Sequence, residues 1–132
     1  MSEPHLGSQL DNKPLGRYMC PEAAHYESQV VGNGHCVSLI QLCSGAPLTR
    51  HWREGPSVRG ASIKAGAVIA TFENERYPNK AGWHAAIYIS QDEQGIWVWD
   101  QWVGKPVHKR LIRFRNGRGT ANNDGDAYSI VN

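Results

Sequence analysis

Long apolar runs are missing from this sequence of 132 residues. None approaches the roughly 18 to 20 residues a helix needs to cross a bilayer, so no membrane insertion is expected. The opening stretch, MSEPHLGSQLDNKPLG, lacks the basic-then-apolar order of a signal peptide and the pattern of a transit peptide. The expectation is a product made in the cytoplasm, with residues 1–17 a mobile N-terminal arm and residues 18–132 a single domain. Cysteine is scarce. Cys20, Cys36 and Cys43 cannot all pair within one chain, so at least one thiol is free. A disulfide between the other two stays open, and the reducing cytoplasm weighs against it.

A strong charge balance is also lacking. Fourteen Lys and Arg against twelve Asp and Glu leave +2, too little to imply a nucleic-acid partner, and none is expected. The positive charge is unevenly spread, however: Lys105, Lys109, Arg110, Arg113, Arg115 and Arg118 fall in one stretch with no acid among them. A solvated strand edge accounts for such a run, and attraction to an anionic partner is the alternative. There is no internal repeat and no low-complexity segment. With 40% hydrophobic and 20% charged residues, the chain has the composition of a folded protein able to bury a core.

The pattern along the chain runs from helices to strands. CPEAAHYESQVVG predicts a short helix with Pro21 early in it, ending towards Gly32. A second helix begins near Cys36, with Val37, Ile40 and Cys43 along one side, and Gly45 and Pro47 stop it. Residues 45–60 are turn-rich and predict a structured loop carrying Trp52. Short apolar runs at 67–72, 84–90 and 96–102, then 107–115 and 127–131, read as strands, the second and third forming a hairpin across QDEQG. Helices followed by an antiparallel run of strands give an α+β fold with the helices packed on one face of the sheet.

Cys36 follows the turn GNGH and opens a helix. Helix N-termini leave N–H groups unpaired and favour negative charge, which stabilises thiolate over thiol. The N–H of Cys36 is itself placed to donate to a developing oxyanion. A buried structural thiol explains the segment equally well by itself. A thiolate nucleophile needs a base held by a third polar group. Among six histidines, His5 lies in the arm, His25, His51 and His108 read as surface residues, and His35 diverges from its neighbour Cys36. His84 opens the apolar strand HAAIYI, where a core-edge structural histidine is the alternative. In IWVWDQW, alternation puts Asp100 on a face with Ile96, Val98 and Trp102, and Gln101 on the other with Trp97 and Trp99. A lone buried carboxylate is costly. With the turn near residues 92–94, His84 comes close to opposite Asp100 and is its natural partner.

GNGHCVSLIQ at a helix start, the strand IKAGAVIATF, GWHAAIYI and an acid on the following strand together resemble papain-like cell-wall cysteine peptidases of the NlpC-like and CHAP type. The resemblance covers roughly residues 18–131 and departs from the family at His35, where relatives carry other residues. It implies that fold, a catalytic set of Cys36, His84 and Asp100, and hydrolysis of an amide in peptidoglycan stem peptides through a thioester. Gln29 or Asn33 would support the oxyanion, although their spacing differs from papain's. Trp83, Trp97, Trp99 and Trp102, with Tyr77 and Tyr88, would line a groove for sugar or peptide, with core packing the alternative for at least half of them. The absence of a leader also resembles bacterial amidase toxins injected by type VI secretion, which implies export to the periplasm of target cells and an immunity protein as inhibitor. Three other readings remain. His25, His35, Cys36 and Cys43 lie close in sequence but lack metal-ligand spacing, so neither metal nor cofactor is expected. A non-catalytic binding module, or a deamidase or transglutaminase-like acyl transferase acting on proteins, would keep the same fold.

Overall fold

The computed structural model describes residues 16–132. All but the last two residues of the expected arm lie outside that range. Six antiparallel strands form one sheet: β1 (Glu54–Ser57), β2 (Val68–Thr71), β3 (Ala85–Gln91), β4 (Gly95–Trp102), β5 (Lys105–Arg113) and β6 (Tyr128–Val131), in the order β1-β6-β2-β3-β4-β5. One α-helix, α1 (Cys36–Ser44), lies against β3 and β4. Its stop is the expected one, with Gly45 at φ 74° in the left-handed region that glycine enters without penalty.

The sheet is covered on both faces because its strands alternate between two cores. Ala85 and Ile87 join Leu39, Ile40 and Trp52 on the helix side, while Ala86, Tyr88, Ile96 and Val98 join Ile69 and Ile112 on the other. Each fully buried large apolar side chain contributes roughly 1.5 to 3 kcal/mol. The Trp52 ring is buried, and its indole N–H donates to the Pro47 carbonyl at 3.0 Å. Between β3 and β4, Asp92 Oδ1 accepts from the N–H groups of Gln94 and Gly95 and closes the expected hairpin.

Four features differ from the sequence-based expectation. The first predicted helix is only a 3₁₀ turn, Ala23–Tyr26. Ser28 takes a positive φ of 70°, and the backbone of Ser28 and Gln29 hydrogen-bonds to Val107 instead of continuing a helix. Hence, among the described residues, one α-helix and not several packs on the sheet. The segment 54–57, expected as loop, pairs with β6 as an edge strand, where Pro56 is tolerated because an edge needs only half its N–H groups. The hairpin register pairs Ile87 with Trp99 and shifts by one residue beyond Tyr88, so His84 sits diagonal to Asp100 and not opposite it. Finally, Cys20 and Cys43 form a disulfide, with Cα atoms 5.5 Å apart, that ties the chain entering the domain to the last turn of α1.

The disulfide closes a loop over a separation of 23 residues. By the entropy such a loop removes from the unfolded chain, the Cys20→Ser/Cys43→Ser variant should lose about 3 kcal/mol of unfolding free energy. Urea titration followed by tryptophan fluorescence measures that loss.

Candidate functional site

The loop ahead of α1 is held from two directions. Asn33 Oδ1 accepts from the N–H of His35 and from the hydroxyl of Ser38, which ties the loop to the first turn of α1. From beneath, the buried side chain of Gln101 takes the N–H of Val31 at 2.9 Å and donates to the carbonyls of Val31 and His35, each at 2.8 Å. Fixing the carbonyl of His35 fixes where the next residue points its side chain. That residue is Cys36. Among the described residues, no hydrogen bond is made by the backbone N–H of Cys36 or Val37 outward from the helix.

His84 is clamped at its backbone. Its N–H donates to Thr71 Oγ1 at 2.9 Å, and the N–H of Thr71 returns a bond to its carbonyl. The imidazole is buried, with Nε2 2.8 Å from Asp100 Oδ2. A carboxylate accepts, so Nε2 carries the hydrogen and Nδ1 is the nitrogen left for Cys36, whose negative charge the imidazole favours. Asp100 is fully buried in the middle of the sheet. Its Oδ2 also takes Nε and Nη2 of Arg110, at 3.0 and 2.7 Å, from β5.

Electrostatics follow from this chain of contacts. Burial pushes the Cys36 thiol up, but the hydrogen bond and positive charge of His84, the N–H of Ala85 and the Tyr77 hydroxyl outweigh it, and the net shift is down. Burial works against a charged imidazole at His84, yet Asp100 and Cys36 raise its pKa to about 9. For Asp100, burial is again opposed, by His84 and Arg110, and its carboxyl is held below the usual range. The balance is two anions against two cations: thiolate and carboxylate, imidazolium and guanidinium. The lowered thiol and the raised imidazole both favour the ion pair of Cys36 and His84 over the neutral pair, and a thiolate beside a proton donor can attack a carbonyl carbon.

The cleft above has a volume of about 880 Å³ and is lined by Cys36, His84, Tyr77, Trp83, Trp102 and Asn122 among others. Of the residues expected at the site, the structure brings together Cys36, His84 and Asp100, with Trp83 in the wall. Asn33 reaches the cleft, but its side-chain oxygen is taken up by the His35 N–H and the Ser38 hydroxyl. Gln29 does not reach it: its side chain is exposed and donates to the carbonyl of His25. Trp102 also lines the cleft, whereas Trp97 lies under the Lys109 ammonium, Trp99 packs on the helix side and Tyr88 is in the opposite core. Sequence reasoning missed what three residues do. Tyr77, expected only as a groove aromatic, places its hydroxyl 3.7 Å from Cys36 Sγ, Arg110 neutralises Asp100, and Gln101 anchors the loop ahead of Cys36. Arg110 lies in the basic stretch whose side chains were read only as a group.

Among the described residues, Cys20, Glu22 and Cys43 cluster at metal-binding distance, but two of the three are consumed by the disulfide. His35 and Cys36 lie at the opposite end of α1 from Cys43, so the clustering in sequence does not make a metal site.

Comparison with known proteins gives a consistent result. The family model of domesticated amidase effector 2 matches residues 12–131. The chain belongs to the type VI secretion amidase effector 2 family. It is 45% identical to a type VI secretion amidase effector 2 protein of Salmonella typhi, over 80% of this chain and 90% of that protein. It is 38% identical to domesticated amidase effector 2 of Ixodes scapularis, over 76% and 72% of the respective chains. A solved structure of type 6 secretion amidase effector 2 (Tae2) superimposes with a TM-score of 0.76 at 39% identity, covering 86% of this chain and 93% of that one. The α+β architecture is thus that of an amidase effector.

In the oxidised protein, iodoacetamide at about pH 6 should alkylate Cys36, whose lowered pKa favours thiolate there, and leave Cys20 and Cys43 untouched because their sulfurs are held in the disulfide. Peptide mapping by mass spectrometry reads the site. Failure of Cys36 to react faster than a free cysteine peptide at that pH would refute the ion pair.

Proposed function

We propose that the protein is a cysteine-dependent amidase that cuts an amide bond in peptidoglycan stem peptides. The observation that carries the reading is the relay from Cys36 through His84 to Asp100 on the floor of the cleft. Membership of an amidase effector family supports amide hydrolysis, and the resemblance to papain-like cell-wall peptidases supports the substrate. On this reading the fold is papain-like, with the nucleophile on a helix, the histidine at a strand start and the third group on the next strand.

The steps follow from the geometry. The Cys36 thiolate attacks the amide carbon, and the carbonyl oxygen takes the negative charge. The N–H of Cys36 donates to it, and the Tyr77 hydroxyl, within 3.7 Å of the sulfur, supplies the second donor in place of the glutamine expected from papain. Imidazolium His84 gives its Nδ1 proton to the leaving nitrogen, the C–N bond breaks and a thioester remains. Water then enters, and His84 takes its proton. The tetrahedral adduct collapses to a free carboxylate and regenerates the thiolate. Asp100 does not accept the proton; it holds the ring in the correct orientation and stabilises its charged form. Trp83 and Trp102 form apolar walls against which a stem peptide packs. As an effector, the protein acts after delivery into the periplasm of a target cell, and a producing cell needs an inhibitor that plugs the cleft.

Mass spectrometry of peptidoglycan digested by the protein should show new carboxyl and amino ends at one peptide bond, whereas an acyl transferase would leave a new amide. Cys36→Ala and His84→Ala should remove the activity. Asp100→Asn should retain about one part in 10² to 10⁴ of it. Undiminished turnover in any of these variants overturns the assignment.

The acid limb of the pH–rate profile should lie below the ordinary thiol range, since Cys36 must be ionised and its pKa is lowered. The alkaline limb should lie at about 9, since His84 must be protonated to expel the amine and its pKa is raised to that value. Measuring kcat/KM against pH reports both in the free enzyme.

A further inference from the structure

Asp100 Oδ2 receives three donors, yet Oδ1 of the same carboxylate is buried and has no hydrogen-bond partner among the described residues. Buried charged oxygens are rarely left bare, because the lost hydration is costly. The group that faces Oδ1 is His108, which pairs with Asp100 across β4 and β5 and places Nε2 3.7 Å away, just too far for a hydrogen bond.

The tautomer of His108 accounts for the gap. Its Nδ1 lies 2.9 Å from the carbonyl oxygen of Pro106. A carbonyl only accepts, so Nδ1 carries the hydrogen. In the neutral ring Nε2 then presents a lone pair to an anion. Only when a second proton is bound does Nε2 become a donor aimed at Oδ1. The ring cannot easily turn away, since it meets the edge of Trp102 with centroids 5.0 Å apart. Trp102 lies beneath the guanidinium of Arg110 at 5.1 Å and meets the His84 ring at 6.2 Å.

We propose that His108 is a positioning residue for Asp100: on taking up a proton it becomes a second, independent donor to the carboxylate and locks the orientation in which Asp100 holds His84. The charged and titratable groups around His108 are Asp100 on β4, Arg110 on its own strand and His84 across the carboxylate. Two of these, Arg110 and His84, already bring positive charge to Asp100. The rigidity of the acid, and through it the orientation of His84, thus depends on whether the His108 ring carries its second hydrogen, separately from the states of Cys36 and His84 themselves. The inference rests on the cysteine-amidase reading only for its kinetic readout.

Two variants test it. His108→Leu removes the donor at every pH, and His108→Gln supplies an uncharged donor of similar reach. His108→Leu should lower kcat roughly tenfold, the scale of one hydrogen bond to a buried charged group, with KM unchanged. His108→Gln should restore most of that loss. Across about pH 5 to 10, the wild-type profile should contain one ionisation that both variants lack. The same comparison, made on the rate at which iodoacetamide captures Cys36, needs no amide substrate. If the protein hydrolyses no amide, this second readout still decides the role of His108. A wild-type pH profile in His108→Leu, or an equal loss in His108→Gln and His108→Leu at unchanged melting temperature, would overturn the proposal.

Discussion

A carboxylate buried in the middle of a sheet dictates much of what surrounds it. Removing Asp100 from water costs several kcal/mol unless opposite charges and hydrogen bonds replace the hydration. The sheet order supplies them: β4 runs between β3, which leads in from His84, and β5, which carries Arg110. Arg110 is the permanent partner, since guanidinium does not release its proton in the accessible range. Its presence lets Asp100 remain anionic whatever the state of His84. His84 is then free to exchange a proton with Cys36 without unbalancing the core. An Asp–His pair alone would tie the two charges together, whereas the third member separates the structural ion pair from the working one.

Cys36 is placed by a different logic, in which side chains satisfy backbone groups. Gln101 and Asn33 fix the loop from 31 to 35, and the helix begins where that loop ends. This explains why the family resemblance fails at position 35 without disturbing the site. The backbone of His35 is essential, with its carbonyl on Gln101 and its N–H on Asn33, but its side chain is exposed. Any residue able to take the extended φ of −75° and ψ of 153° fits there. Gln101, on the strand face opposite Asp100, thus serves Cys36 while Asp100 serves His84. Two adjacent residues of β4 reach the two partners from opposite sides.

Cys36, His84 and Asp100 were legible because each carries a strong local signal: a thiol after a glycine-rich turn, a histidine opening an apolar run, an acid among tryptophans. The α+β class and the last five strands were legible from the change of period along the chain. What escaped depends on pairing between distant segments. Tyr77 sits on a loop whose path no periodicity describes, and the partnership of Arg110 with Asp100 needs the β4–β5 register. The first predicted helix failed because Ser28 and Gln29 found backbone partners on Val107, a competition invisible in a local window. The disulfide was disfavoured by compartment, an argument about where a chain is made and not about which thiols its fold brings together.

The three cysteines combine two incompatible chemistries in 24 residues, and the helix is what keeps them apart. Cys36 opens α1 and Cys43 lies near its end, seven positions on. At about 1.5 Å per residue their Cα atoms are separated by roughly 10 Å, beyond the span a disulfide can bridge. A rigid rod thus denies Cys36 the exchange that its lowered pKa would otherwise invite. The same rod links the two chemistries mechanically. The Cys20–Cys43 bond pins one end of α1 to the chain entering the domain, Gln101 pins the turn at the other end, and the thiolate is held at a fixed distance from His84 between them. Reduction of the distant bond therefore reaches the site through the position of the helix, not through the sulfur chemistry of Cys36.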